Sequence, residues 1–327
     1  MNMDRRRGVK VIGAAFICAA LPDLARAQAD WPAKPVRFIV PVAPGGSADM
    51  LARTLGDRLG KAIGQTFVVD NVSGGGGIIA TQTTARAAPD GYTLMLSYSA
   101  THSTNPAARK LPYDAVTDFT PIAMIGGTPN VLVVSKGVGA TSVKELIALL
   151  KASPAKYSYG SAGQGTLTHL AMEQFKETTK TFMVHVPYRG GSPMMADLLG
   201  GQTQAAFPSL STALPHLRGN RIQALAVTSL KRHPALPDVP TLEELGFKGF
   251  SGVQWYGVHG PANMPKSIVK RLSDEINKQL NAPDLNEKLV QEAISPMSMT
   301  SEQFGEYVKR DMAQWVQLVK ARKLEME

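Results

Sequence analysis

The order of apolar and polar positions predicts two successive α/β units. Between Trp31 and Val134, short apolar runs alternate with segments in which apolar residues recur every three to four positions. The first pattern is typical of buried strands and the second of helices with one buried face. The strand–helix–strand order indicates a parallel sheet with helices on its faces. The predicted strands are 36–40, 66–70 and 92–97, with helices over 48–63 and after Gly77.

The same order repeats in the second part of the chain. After a strand over 130–134, Ser142 and Glu145 have the spacing of a capping box that opens a helix. Ser192, followed by Pro193, is predicted to cap another helix. The remaining predicted strands are 157–161, 182–188, 202–207, 221–229 and 253–260, and the remaining helices are 166–178, 266–281 and 301–322.

Two α/β units with a long returning segment predict a two-lobed protein. We expect lobe 1 to comprise 28–127 and 251–327, and lobe 2 to comprise 128–250. Ligands of open α/β sheets bind beyond the carboxyl ends of the strands. In a two-lobed chain those ends face one cleft, and closure is expected about the crossing segments near residues 127 and 251.

The first 27 residues have the features of a secretory signal peptide. A basic end with Arg5, Arg6 and Arg7 precedes an apolar stretch, Val11 to Leu21, that is too short to cross a bilayer. We therefore expect cleavage after Ala27 and a periplasmic protein, exported by the Sec or the Tat route. Gly8 stands where a twin-arginine signal requires a bulky apolar residue, so the route stays open.

Composition and charge exclude several classes of protein. The chain has 327 residues, of which 44% are apolar, so it can bury a sizeable core. Cys18, its one cysteine, lies in the predicted leader, which leaves the mature chain without disulfide or thiol chemistry. The net charge is +9; the leader carries five Lys/Arg and two Asp, so +6 remains. Because these basic residues are scattered, we expect no nucleic-acid partner but a protein that handles anions.

Three strand-to-helix junctions are unusually rich in glycine. Glycine permits positive φ and close approach of the backbone to a ligand, and a helix N-terminus offers unpaired N–H groups. Together these features favour an anion site. Neither the P-loop nor the dinucleotide pattern is present, so a small carboxylate is expected and a nucleotide cofactor is not. The junctions are 44–49, 71–77 and 160–166.

Two alternatives to a binding site are hydrolysis by a serine nucleophile and metal binding. Ser161 with His169, and Ser47 after a sharp glycine turn, raise the alternative of an exported serine hydrolase, but neither serine lies in G-x-S-x-G and no acid partner can be assigned to His169. His169 and Glu173 place only two potential ligands on one helix face, so no metal site is expected. Asp49, near a helix start, is expected to cap the glycine turn.

The chain resembles the periplasmic solute receptors of tripartite tricarboxylate transporters, often called the Bug family. The similar stretches follow one another in order over nearly the whole mature chain, which is more specific than any single motif. They are "WPAKPVRFIVPVAPGGSADMLAR" (31–53), "VVDNVSGGGGIIA" (68–80), "GYTLMLSYSATHSTNP" (91–106), "YDAVTDFTPIAMI" (113–125), "YSYGSAGQGTLTHLAMEQFK" (157–176), "HVPYRGGSPMMADLLGGQ" (185–202), "ALAVTSLKRHPALPDVPTLEELGFKGF" (224–250) and "WYGVHGPANMP" (255–265).

The resemblance implies a bilobed periplasmic binding fold of type II, in which two α/β domains joined by crossing strands close on a small organic acid. It further implies delivery of that acid to membrane permease subunits by a monomer without catalytic activity. A ligand sensor that feeds a two-component system stays an alternative.

The resemblance also implies ligand contacts. Many relatives carry an Asp where this chain has Pro208-Ser209, and its absence argues against a ligand ammonium group. Arg189 could pair with a ligand carboxylate or lie solvated at the rim. The implied contacts are Gly45, Gly46, Ser47, Gly75, Gly76, Thr101 and His102 in one lobe, and Asn130, Ser161, Gly163, Gly165, Thr166 and His169 in the other.

Overall fold

The structure, a computed structural model, describes residues 31–248, 250 and 252–324. The predicted leader, its cleavage site and Ser251 lie outside these residues. Within them the chain forms two β-sheets, each flanked by helices. We call the elements around the six-stranded sheet lobe 1 and those around the five-stranded sheet lobe 2.

The six-stranded sheet of lobe 1 has the order β11-β4-β10-β3-β1-β2. β1 is parallel to both β2 and β3, as the sequence predicts, whereas β10 runs antiparallel to β3 and β4. Its strands are β1 (Val36–Val40), β2 (Phe67–Asn71), β3 (Thr93–Tyr98), β4 (Phe119–Pro129), β10 (Val253–Pro261) and β11 (Ser295–Pro296).

The five-stranded sheet of lobe 2 has the order β7-β6-β8-β5-β9. β6 is parallel to β7 and β8, but β5 is antiparallel to β8 and β9. The parallel arrangement that the repeated order predicts is therefore found in β6, β7 and β8, whereas β5, which enters from lobe 1, and β9, which returns to it, form an antiparallel pair. The strands are β5 (Val131–Ser135), β6 (Ser158–Ser161), β7 (Val184–Pro187), β8 (Ala205–Ala206) and β9 (Ile222–Val227).

Ten α-helices are found in the described residues. They are α1 (Ser47–Ile63), α2 (Ile78–Ala85), α3 (Asn105–Ala108), α4 (Val143–Ala152), α5 (Leu167–Thr179), α6 (Gly191–Leu199), α7 (Leu210–Arg218), α8 (Lys266–Leu280), α9 (Pro283–Gln291) and α10 (Ser301–Arg322). Three of them, α3, α7 and α9, were not predicted. Ser142 caps α4 by accepting the Glu145 N–H, as expected.

The prediction that Ser192 caps a helix is wrong. α6 begins one residue earlier, at Gly191, and its N-cap is Gly190, whose φ of 133° suits only glycine. Ser192 is thus a first-turn residue. Pro193 remains compatible with the helix because the N–H groups of a first turn have no intrahelical partner.

The predicted helical stripes form the core of lobe 1. Leu51, Leu55 and Leu59 of α1 pack with the strands of the sheet, and so does the stripe of α8 that includes Leu272. α10 contacts both lobes. Its Phe304 packs against Trp255 of lobe 1, whereas Trp315 joins a cluster with Leu167 and Leu170 of α5.

The chain crosses between the sheets at Asn130 and again between β9 and β10. Thr228 joins the two crossings: its hydroxyl accepts the Asn130 N–H at 2.9 Å and donates to the Gly252 carbonyl at 2.9 Å. The predicted lobe boundaries, 127/128 and 250/251, stay a prediction. No helix in the described part of the chain is both long and apolar enough to cross a bilayer.

Candidate functional site

A narrow cavity lies between the two lobes. Its volume is about 30 Å³, and none of its lining residues is charged. Hydroxyl groups and one amide supply its polar surface. The lining residues are Val42, Gly46, Ser47, Ala48, Tyr98, Ala162, Thr166, Thr168, Gly191, Met194, Pro208, Ser209, Thr212 and Gln254. A wider groove of about 600 Å³ on the outside of lobe 1 contains charged side chains and none of the predicted site residues.

Four helices point their N-termini at this cavity. Ser47 opens α1, Thr166 is the N-cap of α5, Gly191 opens α6 and Ser209 is the N-cap of α7, and all four residues line the cavity. The first-turn N–H groups of a helix lack intrahelical partners and carry partial positive charge. The cavity is therefore electropositive without containing a cationic side chain.

A cluster of hydroxyl groups joins the lobes at the cavity. The Tyr256 hydroxyl, on β10, lies 2.5 Å from Ser47 Oγ and 2.5 Å from Gln254 Nε2. Ser47 Oγ in turn lies 3.4 Å from Ser209 Oγ and 3.3 Å from Thr212 Oγ1 of lobe 2. Hydroxyls both donate and accept, so this cluster can exchange its internal bonds for bonds to a ligand.

Asp49 caps the Pro-Gly-Gly turn, as the sequence predicts. Its carboxylate accepts the Gly45 N–H at 3.0 Å and bonds to Arg53 and Asn71. Although burial raises the pKa of Asp49, the bonds from Arg53, Gly45 and Asn71 lower it overall. The Gly45 amide is consequently already paired, and Gly46, which follows it, lines the cavity.

The glycine turn of lobe 2 also satisfies its own amides. The N–H groups of Ala162, Gly163 and Gly165 donate to Thr168 Oγ1, Ser161 Oγ and His169 Nδ1 respectively. Thr166 Oγ1 donates to the Gly163 carbonyl at 2.6 Å. Of the predicted residues in this turn, only Thr166 lines the cavity.

The glycine loops of the two lobes touch each other. A Cβ placed on Gly163 would lie 3.0 Å from Gly76 Cα. Gly75 and Gly76 have φ of 58° and 67° in a short 3₁₀ turn, and the Gly76 carbonyl accepts bonds from Tyr98 and Asn105. These glycines permit the close approach of two backbones, and they do not line the cavity.

Thr101 and His102 lie in the interior of lobe 1 and not at the cavity. The Thr101 hydroxyl donates to the Tyr98 carbonyl, and the His102 ring stacks on His259 at 4.1 Å. Burial lowers the pKa of His102 to about 3. The turn after β3 is a π-helical segment, 100–104, and both side chains are fully buried in it.

Asn130 and Arg189 lie near the cavity without lining it. Asn130, fully buried at the crossing, donates to the Phe207 carbonyl at 2.5 Å, and its Oδ1 has no partner among the described residues. Arg189 has an exposed side chain, while its carbonyl accepts the Ala43 N–H of lobe 1 at 3.0 Å.

Ser161 pairs with His185 and not with His169. Its hydroxyl lies 2.7 Å from His185 Nε2, because β6 and β7 are neighbouring parallel strands. His169 stacks on His185 at 4.2 Å, and burial, with the nearby His185, lowers the pKa of His169 to about 4. Ser161 is fully buried and is not part of the cavity lining. Among the described residues, no group of His, Cys, Asp and Glu is arranged to hold a metal ion.

Several cavity residues were not predicted from sequence. Tyr98 is the last residue of β3, so the rule that sites lie at the carboxyl ends of strands points to it. Ser209 and Thr212 have the spacing of a helix cap, which is a usable signal. Met194 and Gln254 carry no local signal, because only the packing of the lobes brings them to the cavity; Tyr256, which bonds to Ser47, is not part of the lining.

The sequence comparisons point to one family of transport receptors. The sequence model described as "Tripartite tricarboxylate transporter family receptor" matches residues 51–324. Protein BugT of Bordetella pertussis is 34% identical to this chain, over 98% of each chain.

Two similar structures contain carboxylates. R. palustris Rpa4515, solved with adipate, has a TM-score of 0.86 and 35% identity, over 90% of this chain and 99% of its own. MatC from Rhodopseudomonas palustris, with bound malate, has a TM-score of 0.85 and 28% identity, over 88% of this chain and 100% of its own. These similarities and the two sheets confirm the expected bilobed periplasmic binding fold.

Proposed function

The chain belongs to the tripartite tricarboxylate transporter receptor family, and from this premise we propose that it binds a small carboxylate in the cavity between its lobes. The observation that carries the proposal is the convergence of four helix N-termini on a cavity lined by hydroxyl groups. Unpaired N–H groups and helix dipoles favour an anion at such a point. The adipate and malate of the two similar structures belong to the same chemical class.

The lining also limits the chemistry of the ligand. No Asp or Glu lines the cavity, so a ligand ammonium group has no counter-ion there. Leaving a buried charge unpaired is costly, whereas a hydrocarbon segment can pack on Val42, Met194 and Pro208. We therefore propose a carboxylate without an amino group.

Binding requires the lobes to separate and close again. The space of about 30 Å³ holds roughly one water molecule and is far smaller than a dicarboxylate. Residues that line the cavity become the proposed direct contacts: Gly46, Ser47, Tyr98, Thr166, Thr168, Ser209, Thr212 and Gln254. Gly76, Gly163 and Gly165 act instead through the close approach of the lobes, whereas Gly75 contacts only Ile78 of its own lobe.

The role in transport is part of the proposal. Members of the family are periplasmic receptors, and we propose that this chain is exported by its leader and presents the closed, loaded form to membrane permease subunits. A ligand stabilises the closed form only by its greater affinity for that form. No catalytic step is included. The mass of the product isolated from the periplasm tests cleavage after Ala27.

Matched ligand pairs test the binding proposal. The protein, purified after expression with its own leader, is titrated by calorimetry with adipate, malate and glutarate, and with glutamate, which is glutarate with an added ammonium group. We expect heat and a thermal shift for at least one acid, and none for glutamate. Failure of every acid in a wider carboxylate panel contradicts the proposal, and equal binding of glutarate and glutamate contradicts the exclusion of amines.

A variant pair locates the site. Thr166→Val removes a hydroxyl that lines the cavity while preserving side-chain shape, and affinity is expected to fall about tenfold or more. Thr83→Val is the control, because the Thr83 hydroxyl donates to the Ile79 carbonyl within α2. Equal affinities of the two variants place the ligand elsewhere.

A further inference from the structure

Two residues of lobe 1, Thr104 and Arg109, donate hydrogen bonds to the glycine turn of lobe 2, and Asn105 supports Arg109 within lobe 1. Thr104 Oγ1 donates to the Gly165 carbonyl at 2.7 Å, and the Arg109 guanidinium donates to the adjacent Gln164 carbonyl. Asn105 lies between them; its Oδ1 accepts from Arg109 Nη2 at 3.0 Å. Its Nδ2 donates to the Gly76 carbonyl at 2.9 Å. Two successive carbonyls of one lobe are therefore bound by a single short segment, 104–109, of the other.

The turn is built to present these carbonyls outward. Its amides at 162, 163 and 165 donate to side chains of their own lobe. Gln164 and Gly165 precede α5, so their carbonyls lie outside the run of helical hydrogen bonds. Thr104 and Arg109 of lobe 1 supply the hydrogen-bond donors for these two carbonyls.

Arg109 is an unusual donor for this position. In the described part of the chain it forms no ion pair with a carboxylate, and its Nε is buried without a partner. Burial lowers the pKa of Arg109. The Arg109 side chain is half-buried and has no counter-ion in the described residues, so it depends on the hydrogen bonds that it makes, and its bond to the opposite lobe exists only when the lobes are together.

Glycine at position 165 is a condition for this contact. A Cβ there would overlap Asn105 Oδ1 and lie 2.9 Å from Arg109 Nη2, and the φ of 79° also favours glycine. Because Thr166, the next residue, lines the cavity and caps α5, holding Gly165 also fixes the N-terminus of α5 at the cavity.

We propose that Thr104 and Arg109 form a latch that stabilises the closed arrangement of the lobes and slows the departure of a bound ligand. They are positioning residues, since neither lines the cavity. The closed population is the primary claim; the effect on ligand departure rests on the proposed function.

Distance measurements test the latch without any ligand. Cys18→Ser is introduced to remove the native thiol, and spin labels are attached at Arg86→Cys of lobe 1 and Ala196→Cys of lobe 2, both exposed positions. We expect Arg109→Ala and Thr104→Val to shift the distance distribution between the lobes toward longer values, and Arg109→Lys to restore part of the short-distance population. Arg271→Ala is the control, because Arg271 donates to the Trp31 carbonyl within lobe 1. An unchanged distribution in a folded Arg109→Ala variant overturns the latch.

Kinetics provide the second measurement. With adipate as the probe, loss of a hydrogen bond to a charged donor is expected to raise the dissociation rate about tenfold or more, with the association rate changed less than about twofold. A purely structural defect lowers the melting temperature without this separation of rates. Equal dissociation rates in Arg109→Ala and the parent overturn the latch, whereas failure of the parent to bind adipate bears on the ligand and leaves the distance measurement decisive.

Discussion

Gly163 of lobe 2 rests directly on the backbone of Gly76 of lobe 1, so that a Cβ on Gly163 would lie 3.0 Å from Gly76 Cα and 3.2 Å from its nitrogen. Contacts of this length are tighter than most real Cβ contacts, so one of the two backbones would have to move aside slightly. The glycines that the sequence singles out for anion binding are thus placed where the two lobes meet, and this contact decides how far the cleft can close.

The first prediction concerns this contact. Gly163→Ala and Gly165→Val are expected to prevent full closure and to weaken carboxylate binding at least about 100-fold, while the protein stays folded. Positive φ alone costs about 1–2 kcal/mol for a residue with a Cβ, so the control must include that strain. Gly139→Val provides it for Gly165→Val: φ is 76° against 79°, and no atom lies within 4 Å of a Cβ on Gly139. Equal affinities in Gly165→Val and Gly139→Val, measured by calorimetry, contradict the prediction.

The second prediction concerns the hydroxyl of Tyr256. Tyr256→Phe removes the hydroxyl of a fully buried side chain and leaves Ser47 and Gln254, both half-buried, each with one partner fewer. We expect a loss of about 1–2 kcal/mol in the free energy of unfolding and a fall in ligand affinity of about tenfold. Tyr157→Phe is the control, because Tyr157 packs against the core of lobe 2 and takes no part in the hydroxyl cluster. Urea unfolding and calorimetry measure the two effects, and unchanged affinity means that the cluster does not contact the ligand.

The third prediction concerns pH. Since burial lowers the pKa of His169 to about 4, the unfolded chain takes up a proton between pH 6.5 and pH 4 that the folded chain does not. The free energy of unfolding therefore decreases as the pH is lowered from 6.5 to 4, and the titration of His169 does not affect it above that window. The nearby Glu173 raises this pKa, whereas His185, Lys176 and Arg109 lower it.

Replacement of His169 measures that contribution. His169→Asn keeps an acceptor for the Gly165 N–H, and the variant is expected to lose about 2 kcal/mol less stability than the parent between pH 7 and pH 5. Urea unfolding at the two pH values gives the difference. The same loss in both proteins shows that His169 does not titrate as described.

The fourth prediction concerns Asp49. Asp49→Ala leaves the Gly45 N–H and one of the two Asn71 amide N–H groups without an acceptor, and the free energy of unfolding is expected to fall by about 2–3 kcal/mol. Because the pKa of Asp49 is lowered in the fold, its contribution is present above pH 4 and is lost as the carboxylate becomes protonated at lower pH. Asp57→Ala, which removes an exposed pair with Lys61 on the same helix, is expected to change little.

The sequence by itself determined most of the elements and the chemical class of the site. Leu51, Leu55 and Leu59 recur at helical spacing because one face of α1 must be buried, and this pattern is local. The Pro-Gly-Gly turn, its Asp49 cap and the N-terminus of α5 at Thr166 were predicted on the same local grounds. α7 was missed; a proline within a helix, here Pro215, is unfavourable and weakens the pattern.

Only the tertiary structure decided which of these residues meet. Ser47 and Tyr256 are 209 positions apart, and Ser161 bonds to His185 because the order of the strands makes β6 and β7 neighbours. His102, expected at the cleft, is directed into the core by the turn after β3. Periodicity reports which face of an element is buried, but it does not report which distant element covers that face. The order of the strands and the closure of the lobes fix that pairing.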